Sequence, residues 1–143
     1  MDKNVIIHLR GVQAYEDMTT SDLELITEGK YACEDGVYNI TYKESEVTGM
    51  EGTTTILRVE GDEVSLLRHG SVNSHFIFKK GYKKLSYYDT AFGAFTISIF
   101  TKNMNINIDD NGGEIQLGYE MEIDNNKTGL NNFHMLIKPA EGS

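Results

Sequence analysis

Three charged residues fall where strand alternation would be expected to place apolar ones. Glu44 follows Tyr38, Ile40 and Tyr42 at every second position, Arg68 follows Val64 and Leu66, and Arg58 follows Ile56. Successive strand side chains point to opposite faces, so each charge shares a face with its aliphatic or aromatic neighbours. If that face is interior, an unpaired charge carries a desolvation cost of several kcal/mol and each needs a partner. Glu44 with Arg68 is the preferred pair. Two readings are open. The charges can sit at a barrel mouth, snorkelling their heads to water or tying strands together. Alternatively, Arg58 or Arg68, with Tyr42, Tyr88 or Tyr119, supplies the few polar groups that orient a small amphipathic or anionic ligand in an apolar cup. A guanidinium fork suits a carboxylate or phosphate head.

Other residue types that could do chemistry lack the necessary spacing. His8, His69, His75 and His134 are scattered, none at the i, i+2 spacing that aims two imidazoles to one strand face, and a zinc site needs three or four converging ligands. Asp124-Asn125-Asn126-Lys127-Thr128-Gly129 begins like a calcium loop, but its twelfth position is Met135 instead of a bidentate Glu. Asp109-Asp110-Asn111-Gly112-Gly113-Glu114 reads as an acidic turn, and Gly112-Gly113 lacks the lysine of a phosphate loop. No Gly-x-Ser-x-Gly elbow is present, and Cys33 has no local activator. The expectation is a protein that is not an enzyme and holds no metal or cofactor. Glu44 with a tyrosine as an acid/base pair is the remaining enzymatic reading.

The elements that must position these residues are strands. Phe95, Ile97 and Ile99, then Met104, Ile106 and Ile108, then Ile115, Leu117, Tyr119, Met121 and Ile123 recur with period two. Lys3 to Gln13 reads as a strand, Leu23, Leu25 and Thr27 as another that resumes through Tyr31 and Cys33, and Tyr38 to Tyr42 as its return after Glu34-Asp35-Gly36. Ser21-Asp22-Leu23-Glu24 has capping-box spacing, but Gly29 would stop a helix within about two turns. Glu44 to Gly52 reads as a loop or strand extension. Thr53 to Glu60 and Glu63 to His69 are joined at Gly61-Asp62, and Ser74 to Lys79 and Lys83 to Asp89 across Lys80-Gly81-Tyr82. Ala94 to Thr101 is expected to pair with Met104 to Asp109 across a Lys102-Asn103 turn. Glu114–Ile123 and Asn132 to Lys138 complete the chain. This spacing predicts one all-β domain over residues 1–143, an antiparallel meander of about eight to ten strands closed into a barrel, because closure removes the exposed edges of an open sheet.

Composition narrows the partners. With 22 acidic and 13 basic residues the net charge is -9 and the pI about 4.8, which opposes phosphate backbones and anionic lipid. Nucleic acid and membrane are therefore not expected partners. Lys79, Lys80, Lys83 and Lys84 around Gly81-Tyr82 form a basic island, read as a solvated hairpin tip. No run approaches the roughly 20 apolar residues of a membrane helix, and a lone cysteine suits a reducing compartment. The expected location is the cytoplasm, as a monomer or as a homodimer through an open strand edge.

Tyr42-Lys43-Glu44, Thr54-Thr55, Arg68-His69-Gly70, Gly81 and the run Tyr88-Asp89-Thr90-Ala91-Phe92-Gly93, followed by an alternating strand and Leu117-Gly118-Tyr119, occur in one order along nearly the whole chain. In this it resembles the YwiB-like family of uncharacterised bacterial proteins. The resemblance implies a calycin-like, lipocalin-like barrel and no established activity, because fold and function are separable. The chain has no tryptophan, so the Gly-x-Trp signature of true lipocalins is missing, and alanine stands at Ala91 where the family pattern has proline. Two functions from different classes follow: binding of a small molecule in the barrel interior, and a protein-protein module that meets a basic partner through its acidic outer face or the loop with Glu44, Glu46 and Glu51.

Overall fold

An alternating chain with hairpin turns buries its apolar faces by curling one sheet upon itself. The computed structural model describes residues 2–14, 20–44, 51–90, 93–123 and 126–140. It has ten strands: β1 (Asp2–Ala14), β2 (Thr20–Glu34), β3 (Val37–Lys43), β4 (Thr54–Glu60), β5 (Glu63–His69), β6 (Asn73–Lys79), β7 (Lys83–Thr90), β8 (Gly93–Asp109), β9 (Gly112–Ile123) and β10 (Asn126–Pro139). Each pairs antiparallel with its neighbour in sequence, and β10 returns to β1, from Val5 opposite Pro139 to Ala14 opposite Leu130. The barrel is thereby closed. Its weakest seam is β6 to β7, whose ladder covers only Asn73, Ser74 and His75 opposite Asp89, Tyr88 and Tyr87.

The turns follow backbone chemistry. Asp35 and Gly36 both take positive φ (53° and 80°), which matches the twist of the β2–β3 hairpin. The segment with capping-box spacing is strand throughout, because Leu25 and Tyr31 must both face the core and do so at period two.

One expected turn is absent. Lys102-Asn103 does not close a hairpin; β8 runs unbroken from Gly93 to Asp109 and pairs with β9 from Ile97 to Asp109. The register shifts there, Thr101 facing Tyr119 and Asn103 facing Gly118, so Lys102 is the extra residue of a β-bulge. The bulge moves the buried parity from Ile97, Ile99 and Thr101 to Met104, Ile106 and Ile108. A change of parity is what the alternating pattern records at this point, and a bulge produces it without reversing the chain.

The interior is divided along its axis. Ile7, Ile40, Leu57, Val64, Ile99, Ile115 and Met135 are fully buried and come from seven different strands. At the end where β4 turns into β5, Tyr31 closes the lumen: its hydroxyl donates to the Asp109 carbonyl on β8 at 2.6 Å, and its ring stacks on Tyr38 at 5.7 Å. The interior is polar towards the opposite end, where β3 leaves for β4.

Candidate functional site

The register of the strands gathers polar residues into a band around the lumen. Across consecutive strands, Gly29 lies opposite Tyr42, Tyr42 opposite Thr55, Thr55 opposite Arg68, Arg68 opposite Ser74, and Ser74 opposite Tyr88. A second row on the far wall sets Asn131 opposite Tyr119 and Tyr119 opposite Thr101. Residues in such a row share a face, and Tyr42, Thr55 and Thr101 are buried. Glu44, two positions beyond Tyr42, keeps the same inward parity and is buried too.

Glu44 and Arg68 meet there. The Glu44 side chain is 1% exposed and that of Arg68 17%, with Arg68 Nε 3.7 Å from Glu44 Oε2. That separation makes an ion pair and is too long for a hydrogen bond. Oε2 instead accepts from the Thr55 hydroxyl at 2.5 Å, and the Glu44 N–H donates to the Thr53 carbonyl at 2.8 Å, which holds the residue at the strand end. Glu44 Oε1 and Arg68 Nε have no protein hydrogen-bond partner. Burial pushes the Tyr42 phenol pKa well above its ordinary value; the neighbouring Glu44 carboxylate adds to the rise and Arg68 opposes it. The Tyr119 phenol is also raised by burial, and again Arg68 opposes the rise. Arg68 is on β5 and Tyr119 on β9, so this influence acts through the lumen. The Tyr119 ring meets Phe78 edge-on at 4.8 Å.

Unsatisfied polar atoms mark the same region. Among the described residues seven buried side-chain nitrogen or oxygen atoms lack a hydrogen-bond partner: Glu44 Oε1, Arg68 Nε, Ser74 Oγ, Ser86 Oγ, Thr101 Oγ1, Asn131 Nδ2 and His134 Nε2. All but the last belong to residues of inward parity, each sharing a face with a buried neighbour such as Phe76, Ile99 or Met135. His134 lies on the outer wall with its Nε2 3.2 Å from Glu114. Native interiors leave few such atoms, so six along one lumen require an explanation.

Of the sequence candidates, Tyr42, Glu44, Arg68 and Tyr119 come together. Arg58 does not. Its side chain is 50% exposed and pairs with Glu60 at 3.4 Å on the outer wall, because Thr55, Leu57 and Val59 are the residues of β4 that face the core and the Ile56 face is the outer one. Tyr88 is held by its backbone opposite Ser74 and Phe95; its side chain lies outside the described residues, as do Glu46, Ala91, Phe92, Asp124 and Asn125. Thr55, Ser74, Ser86, Thr101 and Asn131 were not anticipated. Thr55 was within reach: a turn at Gly61-Asp62 pairs Glu60 with Glu63, and counting back along that hairpin sets Thr55 opposite Arg68.

Two cavities among the described residues open on the barrel wall. One, of 560 Å³, is lined by Asn103, Asn105, Gln116, Asn132 and His134 over Gly118; the other, of 470 Å³, lies around Gly29, Lys30 and Lys43. Neither includes Glu44 or Arg68, although the second reaches Tyr42. Volume and buried charge therefore disagree, and buried charge is the stronger mark of a site because it carries a free-energy cost that an open polar groove does not. No three His, Cys, Asp or Glu side chains converge on a metal position among the described residues. No helix among them is long and apolar enough to cross a membrane.

Residues 7–135 match the family described as Domain of unknown function (DUF1934). The chain belongs to that family. A relative of this chain is the "Uncharacterized beta-barrel protein YwiB" of Bacillus subtilis (strain 168), 25% identical over 128 residues that make up 90% of this chain and 88% of the relative. The crystal structure of the ywiB protein from Bacillus subtilis superposes with a TM-score of 0.87 at 22% identity, covering 97% of this chain and 93% of the other. The β-barrel is thus common to both, and the relative is itself uncharacterised.

Proposed function

We propose that this protein binds a small amphipathic ligand in the polar half of its lumen, with the ligand's polar head at Arg68 and Tyr42 and Tyr119 flanking it. The observation that carries this reading is the run of six lumen-facing polar atoms without protein partners, two of which belong to a buried carboxylate and a guanidinium. A ligand that satisfied them would recover the hydrogen-bond energy they lack. The filled apolar half limits the size of the guest: the fully buried Leu57, Ile99 and Ile115 occupy the space that a long acyl tail would need. The barrel acts here as a holder, and no covalent step is required of it.

Native mass spectrometry of protein purified without added ligand tests the reading, beside the variant Arg68→Ala. Wild type is expected to carry a small bound mass that is released on denaturation, and the variant to lose it while keeping the β-sheet circular dichroism spectrum. Wild type and variant both free of any bound mass would argue against lumenal binding.

A further inference from the structure

Resting on that reading, we propose that the head group recognised in the lumen is bifunctional: it presents a hydrogen-bond donor beside an acceptor, as a zwitterion does, and is not a simple anion. Arg68 Nε is an unused donor and Glu44 Oε1 an unused acceptor. They belong to two side chains whose nearest charged atoms are 3.7 Å apart. A bare carboxylate bound at Arg68 would satisfy the guanidinium but bring its negative charge against Glu44, and a bare ammonium at Glu44 would meet Arg68 in the same way. A ligand that offers a negative group to Arg68 and a positive one to Glu44 removes both conflicts and satisfies both atoms. Thr55 supports this selectivity. Its hydroxyl donates to Glu44 Oε2 at 2.5 Å and so holds the carboxylate in place, with Oε1 as the oxygen left without a partner. Of the two, Arg68 is the partly exposed side chain, at 17% against 1% for Glu44, so a ligand would meet Arg68 first.

Isothermal titration calorimetry with three probes of one chain length separates the alternatives at pH 7: hexanoate, hexylammonium and the zwitterion 2-aminohexanoate. The zwitterion is expected to bind at least about tenfold more tightly than either single-function probe, since each lacks one charge-assisted hydrogen bond. In Glu44→Gln, with folding checked by circular dichroism, this advantage over hexanoate should disappear. Hexanoate binding wild type as tightly as the zwitterion would overturn the bifunctional head and leave lumenal binding standing, with Glu44 reduced to a counterion of Arg68. A preference for hexylammonium would overturn it equally. Saturation by none of the three at millimolar concentration would overturn lumenal binding itself. The comparison on wild type holds whether or not the variant folds.

Discussion

Thr55 decides how Glu44 is tolerated inside the barrel. Its hydroxyl donates a short hydrogen bond to a carboxylate whose pairing with Arg68 is loose, and a loose buried ion pair does not by itself offset the desolvation of its charges. Thr55→Val keeps the shape and removes the donor, so it is expected to destabilise the fold by about 1–3 kcal/mol, whereas Thr55→Ser should cost much less. Urea denaturation of the two variants measures the difference; equal losses would show that the hydroxyl is irrelevant. The buried phenols act through pH. In Tyr31 and Tyr42 the folded pKa is raised above the ordinary value of 10.0, chiefly by burial. Such a group contributes stability that is fully present below the unfolded pKa and is lost as pH rises from about 10 towards the folded value. The urea midpoint should therefore hold between pH 7 and 9 and fall above 10, and Tyr42→Phe should flatten that fall. Some of this chemistry was legible in the sequence. The pairing of Glu44 with Arg68 follows from charges that share a face with Ile40, Tyr42, Val64 and Leu66. The placing of Arg58 does not, because both faces of β4 are apolar, Leu57 and Val59 on one and Ile56 on the other; pairing of Leu57 with Leu66 and of Val59 with Val64 selects the inner one.

Among the strands, two glycines show opposite uses of the same residue. A Cβ on Gly29 of β2 would lie 2.5 Å from Ile7 Cδ1, 2.6 Å from the Thr41 carbonyl oxygen and 3.5 Å from Tyr42 Cβ. Gly29 is thus the bare position beside Tyr42 in the polar row, where the backbone of β3 cannot move aside. Gly11 of β1 has nothing within 4 Å of its added Cβ. Gly29→Ala should then cost about 1–3 kcal/mol through overpacking, while Gly11→Ala should be neutral or stabilise by up to about 1 kcal/mol. Thermal melting of both variants checks the contrast. The strands themselves were largely readable, since period two and glycine turns are local signals. The bulge at Lys102 was not: a hairpin and a bulge both break the alternation between Thr101 and Met104, and only the long partner β9, reaching from Gly112 to Ile123, distinguishes them. The polar band was hidden for a related reason. Ser74, Ser86, Thr101 and Asn131 are spread over four strands and become neighbours of the lumen only through closure.

For the molecule as a whole, closure of β1 on β10 is what turns an alternating pattern into an interior with two unlike halves. It leaves the acidic surface outside and gathers the buried polar atoms within. The basic island lies at the β6–β7 hairpin tip, where the ammonium groups of Lys79 and Lys84 are 4.8 and 5.6 Å from the centroid of the exposed Tyr82 ring. Their local charge does not alter the net acidity of the chain. Ligand binding therefore rests on the lumen, and electron density there tests it most directly. A crystal structure of protein purified without added ligand should show a molecule larger than water within hydrogen-bond distance of both Arg68 Nε and Glu44 Oε1. A lumen in which those two atoms bond only to each other or to ordered water would contradict it.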